Sequence, residues 1–303
     1  MDTRPFEIGI VFPQTEIGAD PIVVRDFAQA VERLGFHKLL AYDHVIGANI
    51  ANRPGWTMPY THESMFHEPL TLFAYLAGVT ERLILMSGVI ILPQRQTALF
   101  GKQAANVDVF SGGRLRLGIG IGWNRIEYEA LGMDFGSRAK LFEDQIRFLR
   151  RLWTEPSFSE HGAFHNISEA GINPLPMQRP IPLIIGGASE VAQRRAARLA
   201  DGWVPVIKDA AQAPQVVETF RRLVAEAGRD PARVRLENNI ILGAKLGMPL
   251  RSLDDAIAEA AAWRAAGASG VTFDIMDMGF TRADEHIAFA RRLAEALEME
   301  SQA

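Results

Sequence analysis

Cysteine is absent from this chain of 303 residues. Disulfides, thiolate catalysis and cysteine-ligated metal centres are therefore excluded, and the composition suits a reducing compartment. No apolar run is long enough to span a bilayer, and the N-terminal segment MDTRPFEIGIVFP lacks the basic and apolar parts of a secretion signal. These absences predict a cytoplasmic protein without a membrane partner.

Blocks of basic charge are missing as well. The formal net charge is −4, and the lysines and arginines are scattered along the chain. A nucleic-acid partner is not expected from such a distribution. A hydrophobic content of 48% over this length is sufficient for one large core or two smaller ones.

The chain alternates between two kinds of segment. Eight segments are predicted as strands: Phe6 to Phe12, Lys38 to Tyr42, Leu83 to Ile91, Leu115 to Ile121, Leu183 to Gly186, Gly202 to Val206, Val234 to Gly243 and Gly270 to Ile275. The helices predicted after them are Pro21 to Leu34, Pro69 to Val79, Ala98 to Phe110, Arg138 to Leu152, Glu190 to Ala200, Pro214 to Ala227, Leu253 to Ala266 and Arg282 to Leu297. This alternation predicts a (β/α)8 TIM barrel as a single domain over residues 1–303.

A doubly wound open sheet is the competing fold. It is disfavoured because Val11-Phe12-Pro13-Gln14-Thr15, after the first strand, contains no G-x-G-x-x-G fingerprint. Parallel strands joined by short links are common to both folds.

Two irregular segments are longer than a barrel connection requires. Val45 to His67 follows the second strand, on the catalytic face of a barrel, and predicts a lid or substrate wall. Its lining candidates are Trp56, Met58, Tyr60 and His62; a surface excursion packed by its own side chains is the alternative. Thr154 to Arg179 precedes the fifth strand and is expected to be partly scaffold.

Several motifs carry a resemblance to a known family. GVIILP, SGGRLRLGIGIGW, Glu127, LGMDF with Arg138, Asp43-His44, and RPIPLIIGGASEVAQRRAARLADGW occur in an order that resembles the bacterial-luciferase-like oxidoreductases. The resemblance is strongest to the branch that uses the deazaflavin coenzyme F420, and it covers about residues 6 to 205. It implies a TIM barrel that holds a flavin-type ring in its mouth.

Asp43 and His44 stand at the end of the second strand. A histidine at the barrel mouth can exchange a proton beside a bound ring, although position alone favours a hydrogen-bonded structural role. The resemblance implies that His44 lies near the reactive face of the ring, with Asp43 either orienting His44 or capping the loop.

Glycines mark the third and fourth strands. Gly88 and Val89 lie inside the third strand, where a glycine indicates a bulge or a close backbone approach. The resemblance implies a cis peptide there, against the back of the ring. Gly122 and Trp123 end the glycine run of the fourth strand and are the cofactor contacts that the resemblance implies; a glutamate acid found in some members is replaced by Trp123, which disfavours a sugar-phosphate dehydrogenase.

The predicted phosphate site follows the fifth strand. Gly186, Gly187, Ala188 and Ser189 precede a helix, whose N–H groups and positive dipole end can bind an anion. A simple serine N-cap is the alternative. His62 and His67 lack a carboxylate at ligand spacing, so no metal site is expected.

These observations predict an F420-dependent hydride transfer to or from a small organic substrate, catalysed by His44 and Asp43. An FMN-dependent monooxygenase supplied with reduced flavin is the alternative, and a flavin-binding protein without turnover is a third hypothesis. A flavin or F420 reductase and a second copy of the chain in a homodimer are the protein partners that the resemblance suggests.

Overall fold

Parallel strands close into a barrel in the computed structural model, which describes residues 5–56, 58, 60–244 and 249–300. In chain order the strands of these residues are β1 Glu7–Val11, β2 Lys38–Ala41, β3 Ile84–Ser87, β4 Ile90–Ile91, β5 Leu115–Gly120, β6 Phe158–His161, β7 Asn166–Ala170, β8 Leu183–Gly186, β9 Gly202–Val204, β10 Arg235–Ile241 and β11 Gly270–Asp274. The ring runs β3-β2-β1-β11-β10-β9-β8-β5, and β5 pairs back with β3. The prediction of an eight-stranded (β/α)8 barrel is therefore confirmed.

Helices cover the outside of the ring. They are α1 Pro21–Arg33, α2 Pro69–Ala77, α3 Thr97–Phe110, α4 Arg125–Ala130, α5 Arg138–Thr154, α6 Glu190–Leu199, α7 Ala213–Glu226, α8 Leu253–Ala266 and α9 Ala283–Ala296. Proline at the first turn of α1 and α2, after the capping side chains of Asp20 and Glu68, sets where these helices begin. None of the helices in the described ranges is both long and apolar enough to cross a membrane.

The structure differs from the predicted elements in three places. The third strand, predicted as continuous from Leu83 to Ile91, is interrupted at Gly88 and Val89 and continues as β4. The segment Thr154 to Arg179 contains the antiparallel hairpin β6–β7, with Phe158 packed on Phe148 of α5. The six-residue helix α4 was not predicted, because it is too short to show a hydrophobic period.

Charged side chains fill the end of the barrel where the strands begin. Lys38 contacts Glu237, Arg116 Nη1 lies 2.7 Å from Glu7 Oε2, and Arg235 Nε lies 2.8 Å from Glu237 Oε1. Burial by itself would raise the pKa of Glu237, but the three cations outweigh burial and hold that pKa well below its ordinary value. This ion layer fills the bottom of the barrel.

An apolar layer separates these charges from the mouth. It is a compact cluster of six buried side chains, namely Val11, Leu40, Met86, Ile184, Val204 and Met276. Four of them also line the cavity described below. The interior of the barrel is thus apolar directly beneath the mouth.

Candidate active site

A cavity of about 500 Å³ opens at the carboxyl ends of the strands. This volume lies in the range of small-molecule and cofactor sites. Apolar side chains and glycines dominate its walls; its polar side chains are those of Tyr42, Asp43, His44, Tyr60, Ser87 and Asn239. The cavity therefore resembles a slot for a flat, largely apolar group with few polar contacts.

His44 and Glu127 form the central polar pair of the site. His44 Nδ1 lies 3.0 Å from Glu127 Oε1, and only 2% of the Glu127 side chain is exposed. Gln94 Nε2 donates to the other carboxylate oxygen at 3.2 Å. Because a carboxylate accepts hydrogen bonds, the pairing favours the imidazole tautomer whose Nδ1 carries the proton and whose Nε2 is a free acceptor.

Asp43 has different partners from those of His44. Its carboxylate accepts hydrogen bonds from the Ile91 N–H at 3.0 Å and from Arg95 Nη2 at 2.6 Å. Burial raises the pKa of Asp43, although Arg95 and the Ile91 N–H act against this shift. Asp43 therefore joins the end of β2 to β4, and the residue that orients His44 in this structure is Glu127.

Aromatic rings surround His44. The ring centroids of Tyr60, Phe66 and Trp123 lie 5.0, 4.8 and 5.9 Å from that of the imidazole. Tyr60 and Phe66 come from the irregular segment Val45 to His67, and Trp123 follows β5. Burial, followed by the nearby Asp274, raises the pKa of Tyr60 above its ordinary value, so its hydroxyl stays protonated at neutral pH.

Glycines of two strands make room for Val89. A Cβ atom at Gly120 would lie 2.7 Å from Val89 Cγ2, and a Cβ atom at Gly186 would lie 2.7 Å from Val89 Cγ1. A Cβ at Gly118 would lie 1.9 Å from the Ser87 carbonyl oxygen. The Gly88–Val89 peptide is cis, as predicted. The period-two glycines of β5 therefore allow the backbone of β3 and β4 to approach closely, which is the packing function expected of glycine in a strand.

The start of α6 lies beside the cavity. Gly186 and Gly187 line it, while Ala188 and Ser189 are exposed. The Gly187 N–H donates to the Val204 carbonyl at 3.0 Å, and Gly187 has a φ of 133°, a conformation that disfavours other residues. Ser189 caps the helix by accepting from the Ala192 N–H at 3.2 Å. The remaining N–H groups of the first turn have no partner within the helix and can bind an anion.

The sequence profile of the luciferase-like monooxygenases matches residues 11–303. The chain belongs to this family. An uncharacterised protein of Mycobacterium tuberculosis is 33% identical over 207 residues, which are 67% of this chain and 71% of the relative. An FMNH2-dependent dimethylsulfone monooxygenase of Pseudomonas putida is 33% identical over 183 residues, 59% of this chain and 47% of that enzyme.

Solved structures of other proteins have the same fold. An F420-dependent secondary alcohol dehydrogenase in complex with an F420-acetone adduct superposes with a TM-score of 0.78 at 14% identity, over 97% of this chain and 99% of the other. The relatives and neighbours of this luciferase-like chain thus include both FMN-dependent and F420-dependent proteins. At such low identity the superposition supports the fold alone.

The predicted lid residues of this luciferase-like chain lie in three places. Met58 and Tyr60 line the main cavity. Trp56 lies outside that lining, with its ring 6.2 Å from that of Trp123 at the rim. His62 is not in the lining of the main cavity; its backbone N–H donates to the Ala48 carbonyl, and the residue lines a second pocket of about 150 Å³ that His44 also lines.

Three cavity or partner residues were not predicted as functional. Glu127 is in the first turn of α4, which the N-cap Asn124 begins, so the Asn-x-x-Glu spacing was the available signal. Tyr42 donates to Asp274 Oδ2 at 2.7 Å, and Asn239 comes from β10, far along the chain. No local pattern brings these positions together, since only barrel closure does so.

A cluster of metal-ligating residue types lies on the outside of the barrel. Single ligand atoms of Asp144, Glu160 and His165 lie within 4.8 Å of one another. However, the two His165 nitrogens contact Asp144 Oδ2 at 2.6 Å and Thr97 Oγ1 at 2.7 Å, and Glu160 pairs with Arg151 at 3.2 Å. These ligand atoms already have protein partners.

Proposed function

We propose that this chain is an oxidoreductase that transfers a hydride between coenzyme F420 and a small organic substrate. The observation that carries the proposal is the pairing of His44, which lines a largely apolar cavity, with the buried Glu127. Such a pair supplies an oriented proton acceptor or donor next to a ring-binding slot. Oxidation of an alcohol, or reduction of a carbonyl, requires a proton to move together with the hydride.

The residues of the cavity fit a flat ring with a phosphate-bearing chain. Val89 and Ile91 provide an apolar wall, and the packing of Val89 against Gly120 and Gly186 keeps that wall in place. The first turn of α6 offers N–H groups to a phosphate. When bound, the deazaflavin supplies hydride acceptance or donation at its central ring.

His44 performs the proton step in this proposal. Glu127 accepts the hydrogen bond from Nδ1, which leaves Nε2 to take a proton from a substrate hydroxyl. In the reverse direction, Nε2 returns the proton to a carbonyl oxygen. The buried Glu127 carboxylate stabilises the imidazolium that exists between these events.

The lid excludes water from this step. Met58 and Tyr60 cover part of the cavity, and the edge contact between Tyr60 and Phe66 at 4.8 Å packs the lid on itself. Exclusion of water strengthens the electrostatic interactions in the site. It also prevents bulk water from replacing the substrate as the proton source.

The test is a side-by-side titration of the protein with F420 and FMN, followed by single-turnover reduction of the cofactor that binds. We expect tighter binding of F420, and a reduction rate about 10²–10⁴-fold lower in His44→Ala than in the unmodified protein. His37→Ala is the control, because His37 bonds to the Ile8 N–H outside the cavity. Equal rates in His44→Ala and the unmodified protein would contradict the proposed role of His44.

An FMN-dependent monooxygenase is the second candidate. The observation that favours it is the 33% identity to the FMNH2-dependent dimethylsulfone monooxygenase. In this case a separate reductase would deliver reduced flavin, and oxygen would be consumed. Tight FMN binding, together with oxygen uptake in the presence of reduced flavin, would select this activity over the first.

A further inference from the structure

Asn239 lines the cavity, and its buried side-chain oxygen has no hydrogen-bond partner among the described residues. Side chains alternate along β10, so Arg235, Glu237 and Asn239 share the inner side of the strand. Arg235 and Glu237 belong to the ion layer, whereas Asn239 lines the cavity. The residue Asn239 is 8% exposed, and its side-chain oxygen is buried and, among the described residues, accepts no hydrogen bond.

The neighbouring Asn238, unlike Asn239, has hydrogen-bond partners for its side chain. Its side chain accepts from the Ile207 N–H at 2.8 Å and donates to the Ile207 carbonyl at 3.0 Å. Asn238 therefore has a structural function on the outer side of β10. A buried polar group without a partner lowers stability, so the unsatisfied amide of Asn239 is expected to have a ligand in the functional state.

Asn239 and Val89 both line the cavity but come from different parts of the ring. Val89 follows the end of β3, and β3 and β10 are four strand steps apart in either direction. If the ring of the cofactor stacks on the Val89 wall, the substrate approaches the other face of that ring. Asn239 is then available to contact the substrate, an inference that rests on the proposed function.

Charge in the cavity restricts the substrate further. The described lining residues include neither lysine nor arginine. Asp43 forms an ion pair with Arg95, which does not line the cavity. Glu127 is hydrogen-bonded to His44 and Gln94. Among the described lining residues, an anionic substrate would find no counter-ion to compensate for its lost hydration.

We propose that the substrate is an uncharged molecule with an apolar body, and that Asn239 recognises a neutral amide or hydroxyl group on it. The amide of Asn239 offers one acceptor and two donors, which match a group that both donates and accepts. His44 serves the reacting centre, while Asn239 positions the molecule from β10. Asn239 is thus a specificity-determining residue.

The test uses three probes of nearly equal shape: benzamide, benzoate and toluene. Their dissociation constants are measured on the cofactor-loaded protein from the absorbance change of the bound ring. We expect benzamide to bind at least tenfold more tightly than benzoate. In Asn239→Leu, benzamide should bind about five- to tenfold more weakly, toluene should bind at least as tightly as before, and cofactor affinity should change less than twofold.

Thermal stability distinguishes a role of Asn239 in ligand recognition from a structural role. Asn239→Leu should keep or raise the thermal midpoint, because it removes a buried group without a partner. Asn238→Leu is the matched control: it should lower the midpoint and leave the benzamide-to-toluene ratio unchanged. A fall in the midpoint of Asn239→Leu equal to that of Asn238→Leu would overturn the proposal.

The remaining outcomes are also decisive. An unchanged benzamide-to-toluene ratio in Asn239→Leu, or benzoate bound as tightly as benzamide, would overturn the inference about Asn239 and leave the proposed function standing. A tenfold loss of cofactor affinity in Asn239→Leu would assign the residue to the cofactor instead and overturn the inference. Failure of both F420 and FMN to bind the unmodified protein would contradict the proposed function itself, and the inference with it.

Discussion

The side chain of Val89 occupies the space that Gly120 leaves open on the adjacent strand. A Cβ at Gly120 would stand 2.7 Å from Val89 Cγ2, well inside van der Waals contact. The glycine run GIGIG, which by its spacing could be mistaken for a nucleotide fingerprint, is therefore explained by packing. Its functional consequence is indirect, since these glycines hold in place the wall on which a ring is proposed to stack.

Gly120→Ala tests this relationship. The added methyl must displace Val89 into the cavity, so we expect at least a tenfold loss of cofactor affinity and a destabilisation of about 1–3 kcal/mol. Isothermal titration and urea unfolding measure the two effects. Gly78→Ala is the control, because a Cβ there would meet only the Tyr75 carbonyl at 3.6 Å; unchanged affinity in Gly120→Ala would show that the position of Val89 is irrelevant to binding.

Glu127→Gln tests the orientation of His44. The amide can no longer stabilise an imidazolium as a carboxylate does, so turnover should fall about ten- to a hundredfold while cofactor affinity changes little. Steady-state kinetics and a cofactor titration give the two numbers. Glu129→Gln, an exposed change in the same helix, should leave both unchanged. If the two variants behave alike, Glu127 does not act through His44.

Ser189→Asp tests the proposed phosphate contact at α6. Aspartate preserves the N-cap, so the fold should keep its stability, but its charge should weaken binding of a phosphate-bearing cofactor at least tenfold. Riboflavin, which lacks the phosphate, should be affected much less than FMN. Ser252→Asp makes the same change at the N-cap of α8, outside the cavity lining, and should have no effect. Equal losses for riboflavin and FMN would place the phosphate elsewhere.

Glu237→Gln tests the ion layer at the bottom of the barrel. It leaves Lys38 buried without its carboxylate partner, so the free energy of unfolding at pH 7 should fall by about 3–5 kcal/mol. Urea unfolding measures this loss. Glu155→Gln breaks an exposed pair with Arg151 and should cost much less.

Low pH should destabilise the same ion layer at the bottom of the barrel. The folded-state pKa of Glu237 lies below its ordinary value of 4.5, so its contribution is complete above that pH and is lost as the pH falls below it. The unmodified protein should therefore lose stability steeply below about pH 4.5, and Glu237→Gln should lose less over the same range. Parallel pH profiles for the two proteins would show that Glu237 does not carry the acid response.

The local hydrophobic pattern of the sequence was sufficient to predict the barrel architecture. Eight apolar segments, each followed by a helical period, predicted the strand count and the barrel, because periodicity reports which face of an element is buried. The motifs at strand ends also placed Asp43, His44 and the Gly186 to Ser189 turn at one end of the barrel, since parallel strands end on the same side.

Which side chains form hydrogen bonds with each other was determined only by closure of the barrel. The sequence placed Asp43 next to His44, yet Asp43 bonds to Ile91 and Arg95, while the partner of His44 is Glu127, 83 residues away. Likewise, Asn238 and Asn239 are identical neighbours in the sequence, but the pleat turns one outward to Ile207 and the other into the cavity. Periodicity determines which side of a strand is buried; strand register and ring closure determine which distant groups meet there.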